Sequence, residues 1–136
     1  MNQKVKKLLR IYLASPYSHK DPRVVEDRYG EAILATAALM KRFTSLNVFS
    51  PIVHSHPLAK IGGLRGDWEF WKALDEDFID HCDEVWVLEI PGWRESTGVQ
   101  AEIKIAEATG KPVKYVRELR GKYLVSLYSR PAILRQ

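Results

Sequence analysis

The chain has 136 residues, 46% of them hydrophobic and 28% charged, with a formal net charge of +4 and a single cysteine. That length suits one globular domain over residues 1–136 and is short for two, while the lone Cys82 excludes an internal disulfide and suits the reducing cytoplasm, as a core residue rather than a nucleophile. Apolar runs such as Ile33–Met40 fall well below the roughly 20 residues of a membrane span, and the modest basic excess comes without aromatic interleaving or a nucleic-acid module, so neither a membrane nor nucleic acid is an expected partner.

In chain order, Leu9–Ala14 is short, apolar and bounded by Ser15-Pro16, the pattern of a buried strand that ends in a loop. Arg23–Thr44 follows as a long helix with alanines among its good formers. Asn47–Ser50 is a short strand stopped by Pro51. His54–Gly63 reads as a loop or a short helix, broken by Gly62-Gly63. Trp68–Cys82 is a helix with Asp67 as its N-cap, and Val85–Ile90 is the clearest strand, left through a Pro91-Gly92 turn. Ser96–Thr109 is a helix closed by Gly110, and Pro112–Val116 is a fourth strand. Strands alternating with crossover helices predict an α/β fold, a doubly wound parallel sheet of four or five strands flanked by helices, flavodoxin- or Rossmann-like. The core spans about residues 8–116. Arg117–Gln136 forms a basic tail in which Tyr123–Tyr128 is an extra strand or a subunit contact.

Two carboxylates stand out by helical phase, taken at about 100° per residue. In Trp68–Cys82 the residues Trp71, Leu74, Phe78 and Cys82 make an apolar stripe, and Asp75 falls inside that side. In the later helix Val99, Ile103 and Ala106 make the stripe, and Glu102 sits at its edge. An ionised carboxylate against apolar surface costs several kcal/mol unless it is paired or hydrogen-bonded. Each acid alone is explained equally well by loop hydrogen bonds or by an arginine such as Arg23 or Arg65; two together point to chemistry. Ligands of open α/β sheets bind outside the carboxyl ends of the strands, within reach of both. Ser96 and Gly98 open the second helix, where amide N–H groups favour an anion, although Ser96 also serves as an ordinary N-cap.

Three segments together resemble the nucleoside 2-deoxyribosyltransferase-like superfamily, over Ile11 to about Val116. They are Ile11-Tyr12-Leu13-Ala14-Ser15, Asp75 with Cys82-Asp83-Glu84-Val85-Trp86-Val87, and Ser96-Thr97-Gly98-Val99-Gln100-Ala101-Glu102. Ser50–Pro57, Gly66–Trp71 and Pro91-Gly92-Trp93 are similar to an uncharacterised bacterial branch. The resemblance implies an enzyme, a nucleoside deoxyribosyltransferase or a nucleotide N-glycosidase, acting on a nucleoside or its 5′-monophosphate. Glu102 would attack the anomeric carbon, giving a glycosyl ester that water or a second base resolves. Tyr12 would orient Glu102, Asp75 would contact sugar or base, and Ser96 with Gly98 would receive the 5′ group. Ser15 would also bind substrate. The loop Ser15–Pro22 and the segment His54–Arg65 depart from the characterised enzymes.

Around these, Trp93 is positioned to stack on a base and His54 to contact it, while Trp71 belongs to the core. His54 and His56, two apart, would share one face of an extended segment, but no third Cys or His ligand accompanies them, so no metal and no cofactor are expected. His19, Lys20 and Arg23 are phosphate contacts or solvated loop charge. A homo-oligomer is expected. The alternatives are a non-catalytic nucleotide-binding module of the same fold, and an assembly protein that associates through Tyr123–Tyr128.

Overall fold

The structure, a computed structural model, describes residues 7–129. Five strands form one sheet in the order β2-β1-β3-β4-β5: β1 Leu9–Ala14, β2 Leu46–Phe49, β3 Glu84–Leu88, β4 Val113–Leu119 and β5 Lys122–Ser126. The first four are parallel, with Ile11 opposite Val48 on one side and opposite Glu84 on the other. β5 runs antiparallel to β4, Leu119 facing Lys122. The fold is therefore mixed α/β with a mostly parallel sheet flanked by helices, and it is not the wholly parallel doubly wound sheet expected from the alternation of elements. The cause is local: Arg120 (φ 52) and Gly121 (φ 79) are both left-handed, the conformation of a two-residue hairpin turn. β4 accordingly runs past the expected end at Val116.

Side-chain alternation along β1 divides the core between the two faces of the sheet. Ile11 and Leu13 join Ala35 and Leu39 of α1 (Pro22–Arg42), with Val48, Trp86, Leu88 and Val116. Tyr12 and Ala14 point the other way. They meet Ile79 of α3 (Trp68–His81) and Val99, Ile103 and Ala106 of α4 (Thr97–Ala108). Burying each such aliphatic side chain is worth about 1.5–3 kcal/mol, so the two central strands, β1 and β3, anchor both layers. Among the described residues no helix is long and apolar enough to cross a membrane.

Three of the four helices among the described residues start where a side chain supplies a cap, Asp21, Ser50 and Ser96. Asp21 accepts from the Arg23 amide and Pro22 opens α1, a position where the missing N–H costs nothing. The stretch read as a loop or short helix belongs to a full helix, α2 (Pro51–Lys60), begun by the Ser50 hydroxyl accepting from Val53 and by Pro51, with Pro57 inside it. Asp67 does occupy the N-cap position of α3, but makes no capping bond. Its carboxylate instead takes both arms of the Arg65 guanidinium.

Candidate active site

From β1 the chain turns through α1 to β2 on one side, while from β3 it turns through α4 to β4 on the other. The strand order therefore switches between β1 and β3, and ligands of open α/β sheets bind outside the strand ends at such a point. A cleft of about 600 Å³ lies there, lined by residues that follow β1 (Ser15, Tyr17), by Asp75 of α3 and by the start of α4 with Glu102.

At its floor are three groups drawn from three elements. The Tyr12 hydroxyl, fully buried on β1, donates to the Glu102 carboxyl. Glu102 is itself only 4% exposed. Burial pushes Glu102 up from its ordinary 4.5 to about 8; the Tyr12 hydrogen bond opposes the rise and the Asp75 charge adds to it. Burial likewise pushes Asp75 up to about 7, again opposed by Tyr12. Tyr12 is raised well above its usual value, first by burial and then by the two acids. The carboxyls influence each other and share one phenol, so they titrate as a unit. At neutral pH the floor of the cleft holds protons that can be given to or taken from a bound molecule.

The walls are built from loop and helix ends. Ser96 caps α4 by accepting from the Val99 amide at 3.2 Å, and Ser96, Thr97 and Gly98 line the cleft. A Cβ on Gly98 would lie 3.5 Å from the Trp68 ring, 3.9 Å from Glu102 Oε1 and 4.0 Å from Ser96 Oγ. The absent side chain thus leaves a methyl-sized space between the capping hydroxyl and the carboxyl. Arg28, from α1, donates to the carbonyls of Tyr17 and Ser18 after β1 and of Pro91 after β3. Its Nε and the Ser15 hydroxyl are buried in the cleft wall without a hydrogen-bond partner. Gly92, at φ 95, lies so close to this guanidinium that a Cβ would be 2.2 Å from Arg28 Nη2.

Of the residues singled out from the sequence, Glu102, Asp75, Ser15, Ser96 and Gly98 line this cleft and Tyr12 lies directly beneath it. Neither acid is taken up by the arginines considered: Arg23 pairs with Asp21 and Arg65 with Asp67. Two further residues expected at the site, Trp93 and His54, are not among those that line the cleft. Trp93 is buried in the core, its ring 5.7 Å from that of Tyr115 and Arg94 over its face, and it is not among the lining residues. His54 sits beside Phe49 and Phe78 and is likewise not among the lining residues.

The segment carrying His54 and His56 is helical, so residues two apart diverge instead of sharing a face. His56 is buried at 4% exposure and His54 is exposed. Among the described residues no three Cys, His, Asp or Glu side chains are grouped to hold a metal ion. Tyr17 and Arg28 in the lining carry no sequence signal of their own, whereas Trp68 falls in the Gly66–Trp71 segment noted for its resemblance.

A family described as "Domain of unknown function (DUF1937)" matches residues 9–118, a span from β1 to β4 that contains every residue of the cleft. No curated protein matches the chain.

Proposed function

We propose, from the premise that the chain belongs to the DUF1937 domain family, that its cleft cleaves or exchanges the N-glycosidic bond of a nucleoside or nucleoside 5′-monophosphate. The observation that carries this reading is a buried carboxyl, Glu102, held by the Tyr12 phenol beside a second raised acid, Asp75, at the floor of an open cleft. The chemistry needs such a pair. Ionised Glu102 attacks the anomeric carbon, the C–N bond breaks, and its electron pair leaves with the base, which takes up a proton. Asp75, with a carboxyl near half-protonation at neutral pH, can supply that proton. The glycosyl–Glu102 ester is then opened by water or by a second base, returning the carboxylate.

The remaining features support the same reading. The amide end of α4, with Ser96, Thr97 and Gly98, suits an anionic 5′ group, and the unsatisfied Ser15 hydroxyl has hydrogen bonds to offer a ligand. The order Tyr12, Asp75, Ser96, Gly98, Glu102 is the one in which the sequence resembles the nucleoside 2-deoxyribosyltransferase-like superfamily. Purified protein should release free base from at least one member of a panel of 2′-deoxynucleosides and their monophosphates, resolved by chromatography with and without an acceptor base. Glu102→Ala should abolish that release; release that persists in the variant refutes the role given to Glu102.

One observation favours a second reading. Burial holds Glu102 largely protonated near neutrality, and a neutral carboxyl is a poor nucleophile. A non-catalytic nucleotide-binding module would show it as a ligand that raises the melting temperature and is recovered chemically intact.

A further inference from the structure

Beside the acids a second polar chain enters the same cleft from α1 and α2. Lys60 Nζ lies 2.5 Å from Glu26 Oε1, and His56 Nε2 lies 3.1 Å from the same oxygen. His56 Nδ1 is 2.6 Å from the Tyr17 hydroxyl, and Tyr17 lines the cleft. The imidazole is buried and clamped between two rings, with Tyr29 at 4.2 Å and Tyr17 edge-on at 5.5 Å. Such a ring has no freedom to choose other partners.

Donor and acceptor roles follow link by link. The hydrogen bond from Lys60, then that from His56, holds the Glu26 carboxyl below its usual range, so it is ionised and only accepts. His56 Nε2 must therefore carry the proton that faces it. In the neutral ring Nδ1 is then a lone pair, and the Tyr17 hydroxyl must donate to it. What remains of that hydroxyl is acceptor capacity alone.

We propose that Tyr17 is a specificity-determining residue of the cleft, its oxygen held as an acceptor by the positioning residues His56 and Glu26, so that the bound molecule must bring an N–H or O–H donor to it. The inference deepens the glycosidic reading and rests on it for the choice of ligand. Two sources of the donor share this chemistry, an exocyclic amine of the base and a sugar hydroxyl. A site built around one hydrogen bond rejects analogues that lack the partner group far more strongly than an apolar pocket rejects a change of size.

The test measures binding of three probes by calorimetry: 2′-deoxyadenosine, 2′-deoxyinosine, which exchanges the amine for an oxo group, and 2′,3′-dideoxyadenosine, which lacks the second sugar hydroxyl. Wild-type protein should prefer 2′-deoxyadenosine over one analogue by about 10-fold or more, and the analogue rejected identifies the source. Tyr17→Phe should bring that ratio close to one, and Glu26→Gln, at a position 44% exposed, should narrow it by freeing the His56 tautomer. Nitrogen-15 spectra should show the His56 proton on Nε2 with Nδ1 bare, a signature that mere packing does not require.

A His56 proton on Nδ1, an unchanged ratio in Tyr17→Phe, or no preference or no binding in wild type overturns the proposal. If Tyr17→Phe fails to fold, Glu26→Gln and the tautomer decide. Selective binding without base release leaves Tyr17 in this role and refutes the glycosidic reading alone.

Discussion

A phenol and two carboxyls sharing protons make the pH response of the cleft a property of single residues. Tyr12 opposes the rise of both acids, so its hydroxyl is what keeps Glu102 within reach of ionisation. On the glycosidic reading base release requires the Glu102 anion beside a protonated Asp75. It should therefore be greatest between about pH 7 and 8 and fall on either side, the acid limb setting in as Glu102 takes up its proton. In Tyr12→Phe the same limb should move to higher pH, by on the order of one unit, with a fall of about 10-fold in the rate at neutral pH. A pH–rate profile with an unmoved midpoint would show that some other group controls the reaction. The two acids were legible in the sequence because a carboxylate on an apolar face is conspicuous, whereas Tyr12 was reached only through the family resemblance. Tyr17 and His56 were not legible: they are 39 positions apart, and each alone is an ordinary loop or helix residue.

Among the elements, α4 brings a cap at Ser96, an open position at Gly98 and a carboxyl at Glu102 to the cleft within its first turns. Gly98→Ala tests whether the open position matters. Alanine favours a helix and its methyl would make only ordinary contacts of 3.5–4.0 Å, so the melting temperature should hold or rise slightly. Ligand affinity or turnover should nevertheless drop about 10-fold or more, because the methyl fills the space before the carboxyl. An unaffected affinity would mean that ligands do not use this wall.

The periodicity of α4 was readable in advance, yet Glu102 is buried outright and not at the edge of the stripe. For α3 the expected stripe was turned. Leu74 is 47% and Phe78 36% exposed, whereas Trp71, Ile79 and Cys82 are buried, which puts Asp75 on the line of the inward face, one turn from both Trp71 and Ile79. Apolar identity at Leu74 and Phe78 outweighed phase, and Phe78 is accounted for by stacking on Phe49 at 4.0 Å. The start of α2 was obscured by Pro51, which read as the stop of a strand although it opens the helix, and Pro57 is tolerated inside it.

At the scale of the whole molecule, two buried acids place the folded state in tension with alkaline pH. Their folded pKa values lie above the ordinary 4.5 and 3.8, at about 8 and about 7. Folded protein therefore binds more protons than unfolded protein between those limits, and stability falls as pH rises across them. The contribution is complete below about pH 4 and is lost through pH 7 to 8. For fully buried Glu102, at about 1.4 kcal/mol per unit, the loss is on the order of several kcal/mol. Glu102→Gln cannot ionise, so its melting temperature should exceed that of wild type above about pH 8 and converge with it near pH 5. Curves that run parallel would mean that Glu102 is not buried in the folded protein. The alternation of strands and helices was plain from the sequence; the reversal at β5 was left there as one of two options, because a two-residue turn at Arg120-Gly121 is a small signal beside a basic tail. The other option reaches Tyr128, which is 80% exposed.

Arg28 grips carbonyls on both banks of the cleft, two after β1 and one after β3. It works as a cross-brace: the gauge of the opening is set by the length of one guanidinium, and neither loop can swing without dragging its opposite number. A guest that shifts the bank leading to Ser96 should thereby be registered at Tyr17, so the bank proposed to receive a 5′ anion and the bank proposed to select a donor share the same strut.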